Sequence, residues 1–94
     1  MASVYILYSD QLNRYYVGSC EDLALRMEQH LNGVFKGSYT SKADDWVLYW
    51  HMDQLGYSQA RLIEKHIKGM KSRKYLNDLK QYPEIAIRLR NLYT

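Results

Sequence analysis

A single cysteine, Cys20, is all the sulfhydryl chemistry this sequence has, so an intramolecular disulfide and a cysteine-based zinc cluster are both excluded. No apolar run approaches the roughly 18 residues of a membrane span, and no membrane association is expected. The N-terminus enters a predicted strand at once, with neither a basic start nor a small-residue cleavage site. No secretory signal is therefore expected, and the features suit a reducing cytoplasm. Repeats, linkers and low-complexity tracts are also missing, which leaves residues 1–94 as one expected domain. Its 47% apolar and 24% charged composition is that of a globular chain rather than a disordered one. Ten tyrosines are more than chemistry can employ, so several must serve packing.

Net charge is only +3, but it is unevenly spread. Residues 1–60 carry four basic and seven acidic side chains, whereas residues 61–80 carry seven basic side chains against Glu64 and Asp78. A clustered excess of this kind is either a phosphate-binding surface or a solvated helix face.

Val4-Tyr5-Ile6-Leu7-Tyr8 and Tyr15-Tyr16-Val17-Gly18 read as the arms of a β-hairpin, joined by the turn formers Ser9, Asp10 and Asn13. Alternation puts Tyr5 with Leu7, and Tyr16 with Gly18, on one face of each arm. Cys20 to Gly33 reads as a helix with a stripe of Leu23, Ala24, Met27 and Leu31. Arg26 and His30 lie along one edge of that stripe, four residues apart. Val34 to Asp45 lacks a period and reads as a loop, with Tyr39 and Lys42 as candidate ligand contacts. Trp46 to His51 reads as a strand with Trp46 and Trp50 on one face, and Asp53 to Ser58 as a turn ending on a Ser58 cap. Helices are predicted over Gln59–Met70, Ser72–Gln81 and Glu84–Leu92, the last opened by Pro83. The order β-β-α-β-α-α-α predicts an α+β fold, a small three-stranded, mostly antiparallel sheet flanked by helices.

One residue breaks the pattern of the second helix. Ala60, Ile63, Ile67 and Met70 mark its buried stripe, and at about 100° per residue Glu64 falls beside that stripe rather than opposite it. A carboxylate held there requires a partner. The partner is either a cation such as Arg61, Lys68 or Arg26, or a hard divalent metal that prefers oxygen and keeps several waters.

The sequence resembles the GIY-YIG nucleases. Ser3-Val4-Tyr5 and Tyr16-Val17-Gly18 stand for the two tripeptides. Arg26 with His30 on the next helix, Glu64 on the long helix after it, and the basic residues around Lys68 and Ser72-Arg73-Lys74 follow in the family's order. The resemblance covers roughly residues 3–80. It is to the compact single-domain bacterial branch, similar to the nuclease domain of the excision-repair incision subunit. It implies a metal-dependent DNA endonuclease, with roles in repair or recombination. Tyr5, Tyr16, Arg26, His30 and Glu64 would be catalytic, and Glu64 would hold one Mg²⁺ or Mn²⁺. Tyr39, Lys42, Lys68, Lys71, Arg73, Lys74 and Asn77 would contact substrate, with Asn77 or Lys74 filling the last motif position. Ser3 replaces the first motif's glycine, and Ser19 stands where some members carry a lysine. DNA is the implied partner, and specificity would be low or supplied by a protein partner. The competing reading is a non-catalytic nucleic-acid-binding module on the same fold.

Overall fold

A computed structural model describes residues 1–31 and 42–94. Its elements are β1 (Ala2–Ser9), β2 (Arg14–Cys20), α1 (Leu23–Leu31), β3 (Val47–Leu55), α2 (Tyr57–Met70), α3 (Arg73–Gln81) and α4 (Pro83–Leu92). The fold is the expected α+β arrangement, with three antiparallel strands in the order β2-β1-β3. The nearly continuous apolar run of β1 follows from its central place. A strand covered on both faces has no solvent side to make polar, and Val4, Tyr5, Ile6 and Leu7 are all fully buried.

The hairpin turn is closed by local chemistry. Asn13 takes a φ of 51°, a conformation asparagine tolerates, and its N–H reaches the Asp10 carbonyl. Ser9 Oγ accepts from the Leu12 N–H and donates to Asp45 Oδ1 at 2.6 Å, pinning the turn to the segment before β3. The resulting register sets Tyr5 opposite Gly18 and Leu7 opposite Tyr16, so both tyrosines share a face.

Two hydrophobic clusters lie on opposite faces of the sheet. One joins Val4, Ile6, Val17 and Met52 to Ile63 and Ile67 of α2, with Leu76, Leu79 and Leu89 from α3 and α4. The other is smaller, with Tyr5, Leu7, Cys20 and Trp46 buried against Leu23 and Met27 of α1.

Several boundaries differ from the sequence expectation. Cys20 is not helical: it pairs with Ser3 at the end of β2. The helix starts at Leu23, where Asp22 Oδ1 accepts from the Leu25 N–H at 3.1 Å. Ala24 is exposed on that helix. β3 runs on to Leu55 because its register shifts twice against β1, and Gln54 at φ 61° lies in the first shifted stretch. The cap of α2 is accordingly Gly56 rather than Ser58, with Gln59 Oε1 accepting from the Gly56 N–H. The second shift sets Trp50 opposite Ile6 and Leu48 opposite Leu7. Trp46, lying before the strand, joins the tyrosine cluster, and Trp50 packs against the other one. The two tryptophans therefore do not share a face. Met70, at the last turn of α2, is 45% exposed. Ser72, expected as the first helical residue, instead caps α3, its Oγ accepting from the Tyr75 N–H. Among the described residues, no helix is long and apolar enough to cross a membrane.

Candidate active site

β2 is an edge strand, and a cavity of about 570 Å³ wraps around that edge. From the α1 side it receives Tyr5, Tyr16 and Arg26; from the α2 side it receives Glu64 and Arg61. Gly18 is what gives Tyr5 room beside β2. A Cβ at that position would lie 2.5 Å from Tyr5 Oη and 2.6 Å from Tyr5 Cζ, closer than atoms can pack, so only glycine leaves room for the phenol.

Tyr5 and Tyr16 have ring centroids 6.3 Å apart. His30, only 4% exposed, stands behind both. Its Nε2 is 2.9 Å from Tyr5 Oη, and its ring meets that of Tyr16 edge-on at 5.3 Å. Burial raises the pKa of Tyr5 well above the ordinary phenol value, and the neighbouring Tyr16 adds to the rise; the charge of Arg26 opposes them and loses. Burial also lowers the pKa of His30 from the ordinary 6.5, helped by the Arg26 charge. Both groups are neutral at neutral pH. In the free protein desolvation of the Tyr5 phenol outweighs the Arg26 cation beside it.

Glu64 projects from α2 into the same cavity. Its Oε1 accepts from Ser19 Oγ at 2.5 Å, and its Oε2 pairs with Lys68 Nζ at 2.6 Å. The carboxylate is thus both cavity-lining and ion-paired. Each oxygen keeps a further lone pair for a cation. Among the described residues, no group of three or more His, Cys, Asp or Glu gathers for a metal. Glu64 lines an open cavity together with Glu21 and Asp22 as well as Arg26 and Arg61, and a carboxylate so placed fits a hard divalent ion that keeps waters and takes its other ligands from phosphate. It does not fit a closed zinc site.

The remaining candidates divide. Lys68, Lys71 and Arg73 line a second groove that shares Tyr16 with the cavity. Arg73 also holds the hairpin, donating to Asn13 Oδ1 at 3.2 Å and to the Asn13 carbonyl. Lys74 pairs with Asp78 at 3.0 Å and lines neither space. Asn77 accepts from Tyr49 Oη at 3.3 Å, also away from the cavity. Lys42 is exposed and does not line the cavity. Tyr39 lies outside the described residues. Sequence reasoning missed Ser19 and Arg61 as cavity residues. Arg61 was legible, one helical turn before Glu64; Ser19 was not, because its link to Glu64 crosses from strand to helix.

No curated protein and no solved structure gives a significant match to the chain. The model of one family, described as the GIY-YIG catalytic domain, matches residues 1–77, from β1 into α3. The antiparallel sheet with β1 at its centre agrees with that family, whose members are generally nucleases and typically depend on a divalent metal. Because the match spans most of the chain and includes every strand, this protein belongs to the GIY-YIG nuclease family.

Proposed function

We propose that this chain is a metal-dependent DNA endonuclease that hydrolyses phosphodiester bonds, acting in the cytoplasm in DNA repair or recombination. The observation that carries it is the convergence of Tyr5, Tyr16 and Arg26 from one face of the sheet with Glu64 from the other on one cavity. Residues 1–94 would act as one domain, since Leu89 of α4 is buried in the same cluster as Ile63 of α2.

Hydrolysis requires a positioned water, charge facing the phosphoryl oxygens, and a route for the water's proton. Arg26 suits a non-bridging oxygen through its fork of donors, and Arg61 faces the same cavity. Glu64 would hold a divalent cation, Mg²⁺ or Mn²⁺, which when bound supplies positive charge to the scissile phosphate and the leaving oxygen. Tyr5 is not a phenolate waiting in advance, because its pKa is raised. The geometry instead supports transfer in step. Water attacks phosphorus and gives its proton to Tyr5 Oη, Tyr5 gives its own proton to His30 Nε2, 2.9 Å away, and the bond to the leaving oxygen breaks. Neutral His30 can accept that proton, provided its other proton sits on Nδ1. Tyr16 would orient the water or phosphate, and a protein partner would supply specificity.

A second reading, a nucleic-acid-binding module without catalysis, is favoured by the double engagement of Glu64 with Ser19 and Lys68. Incubation with plasmid and branched DNA distinguishes the two. Cleavage with Mg²⁺ or Mn²⁺ and none with chelator is expected. Failure to cut any of these substrates with either metal would leave the binding module.

A further inference from the structure

The second groove, of about 450 Å³, runs along the same edge of the sheet as the catalytic cavity. On the face turned to α2, the residues of β2 are Ser19, Val17 and Tyr15, in steps of about 6.6 Å. Ser19 touches Glu64 in the cavity, and Val17 and Tyr15 line the groove. Along α2 and its C-terminal cap the matching series is Glu64, Lys68 and Lys71, the first step being about 6 Å. The two spaces are successive stations on one track, and Tyr16 belongs to both.

The materials of the groove differ from those of the cavity. Its floor is carbon, from Val17, Ile67 and Leu76, with Tyr15 at one end. Its rim is cationic, from Arg14, Lys68, Lys71 and Arg73, and no acidic side chain lines it. Arg73 Cζ stands 5.6 Å from the centroid of the Tyr15 ring, within cation–π range, so a guanidinium and a phenol lie side by side there. Among the described residues, Arg14 and Lys71 make no ion pair. A duplex presents phosphates and hides its base faces, so it matches the rim and leaves the floor unused. An unpaired strand presents both phosphates and base faces, and its bases stack on aromatic rings and on arginine planes.

We propose that this groove binds an unpaired nucleotide of the strand whose neighbouring phosphate lies in the cavity. The preferred substrate then carries single-stranded nucleotides beside the cut. The inference rests on the nuclease reading for the direction of the track, and its binding test stands apart from catalysis.

The test uses the full chain in chelator, with a fluorescent single strand of about eight nucleotides, within the span of such sites. Comparison probes are the same strand with abasic sites and the corresponding duplex. The single strand should bind more tightly than the duplex, and abasic sites should weaken it about tenfold, as loss of one stacked base does. Arg14→Gln with Lys71→Asn removes two charges while retaining a residue suited to the left-handed backbone of position 71, where φ is 48°. That pair should flatten the salt dependence of single-strand binding by about 1.4 in slope. A bromodeoxyuridine strand should photocrosslink to the Tyr15–Tyr16 segment. Equal affinity for duplex and abasic strand, an unchanged salt slope in a variant with normal melting, or crosslinks elsewhere would each overturn the proposal. Base-dependent binding without cleavage of any substrate would instead overturn the nuclease reading and leave the groove assignment standing.

Discussion

On one face of the sheet, Val4, Ile6 and Val17 meet Ile63, Ile67, Leu76 and Leu79 in a core made of carbon. On the other, Tyr5, Leu7, Cys20 and Trp46 share their space with a buried histidine. The first face is covered by three helices and holds the fold together. The second has α1 alone among the described helices packed on it, and there buried groups keep hydroxyl and imidazole functions within reach of a cavity. Glu64 is the exception that links them: it rides on a helix of the stabilising face and lines the same edge cavity as Tyr5, Tyr16 and Arg26. Stability and chemistry are therefore separable by residue.

The strongest way to break that separation is through the carbon face. Ile63 is fully buried, so Ile63→Ala should lower unfolding free energy by about 2–5 kcal/mol, read by denaturant titration. Cleavage per folded molecule should stay near wild type. Glu64→Gln should do the opposite. It keeps shape and removes the charge that would hold a cation, so cleavage should fall by at least ~10²-fold and Mn²⁺ affinity should drop in titration. Its melting should stay near wild type, because a half-buried carboxylate loses only an exposed partner, Lys68. A stable variant cutting at the wild-type rate would remove Glu64 from the site.

Gly18→Ala tests the close approach of Tyr5 to β2 on the tyrosine face. The new Cβ would press on Tyr5, a crowded site costing about 1–3 kcal/mol. Cleavage should fall as well, since the phenol must move. Loss of activity without loss of stability would show that the ring yields cheaply.

The smallest effect expected is that of pH. Burial holds the folded pKa of His30 below its ordinary 6.5. The unfolded chain therefore binds this proton more readily, and stability rises with pH across the interval. The contribution is complete above 6.5 and is lost as pH falls through the folded value. Protonated His30 also cannot accept from Tyr5, so cleavage should decline over the same range. His30→Gln keeps a hydrogen-bonding side chain without a titration there. Melting measured against pH should lose this component in the variant, and an unchanged profile would assign the titration to another group.

Local pattern carried much of this in the sequence. Alternation placed Tyr5 with Leu7 and Tyr16 with Gly18 on one face of each arm, because strand side chains have a period of two whatever the strand pairs with; that the two faces coincide was decided by the register of β1 with β2. Helical spacing put Glu64 beside the apolar stripe and His30 one turn from Arg26. Ser72 and Pro83 marked helix starts by their own backbone chemistry. What the pattern could not supply were relations between distant segments. That β2 lies at the edge, so that a cavity can wrap it, follows from β3 pairing with β1. The shifts in that pairing carried β3 to Leu55 and sent Trp46 and Trp50 to opposite faces. Lys74 and Asn77 had the right spacing for a site but are engaged by Asp78 and Tyr49. The pKa of Tyr5 was likewise beyond the sequence, since burial and Arg26 act on it in opposite directions and only packing sets their balance. Periodicity is a property of neighbours along the chain; which edge is open, and how deeply a group is buried, are properties of contacts made across it.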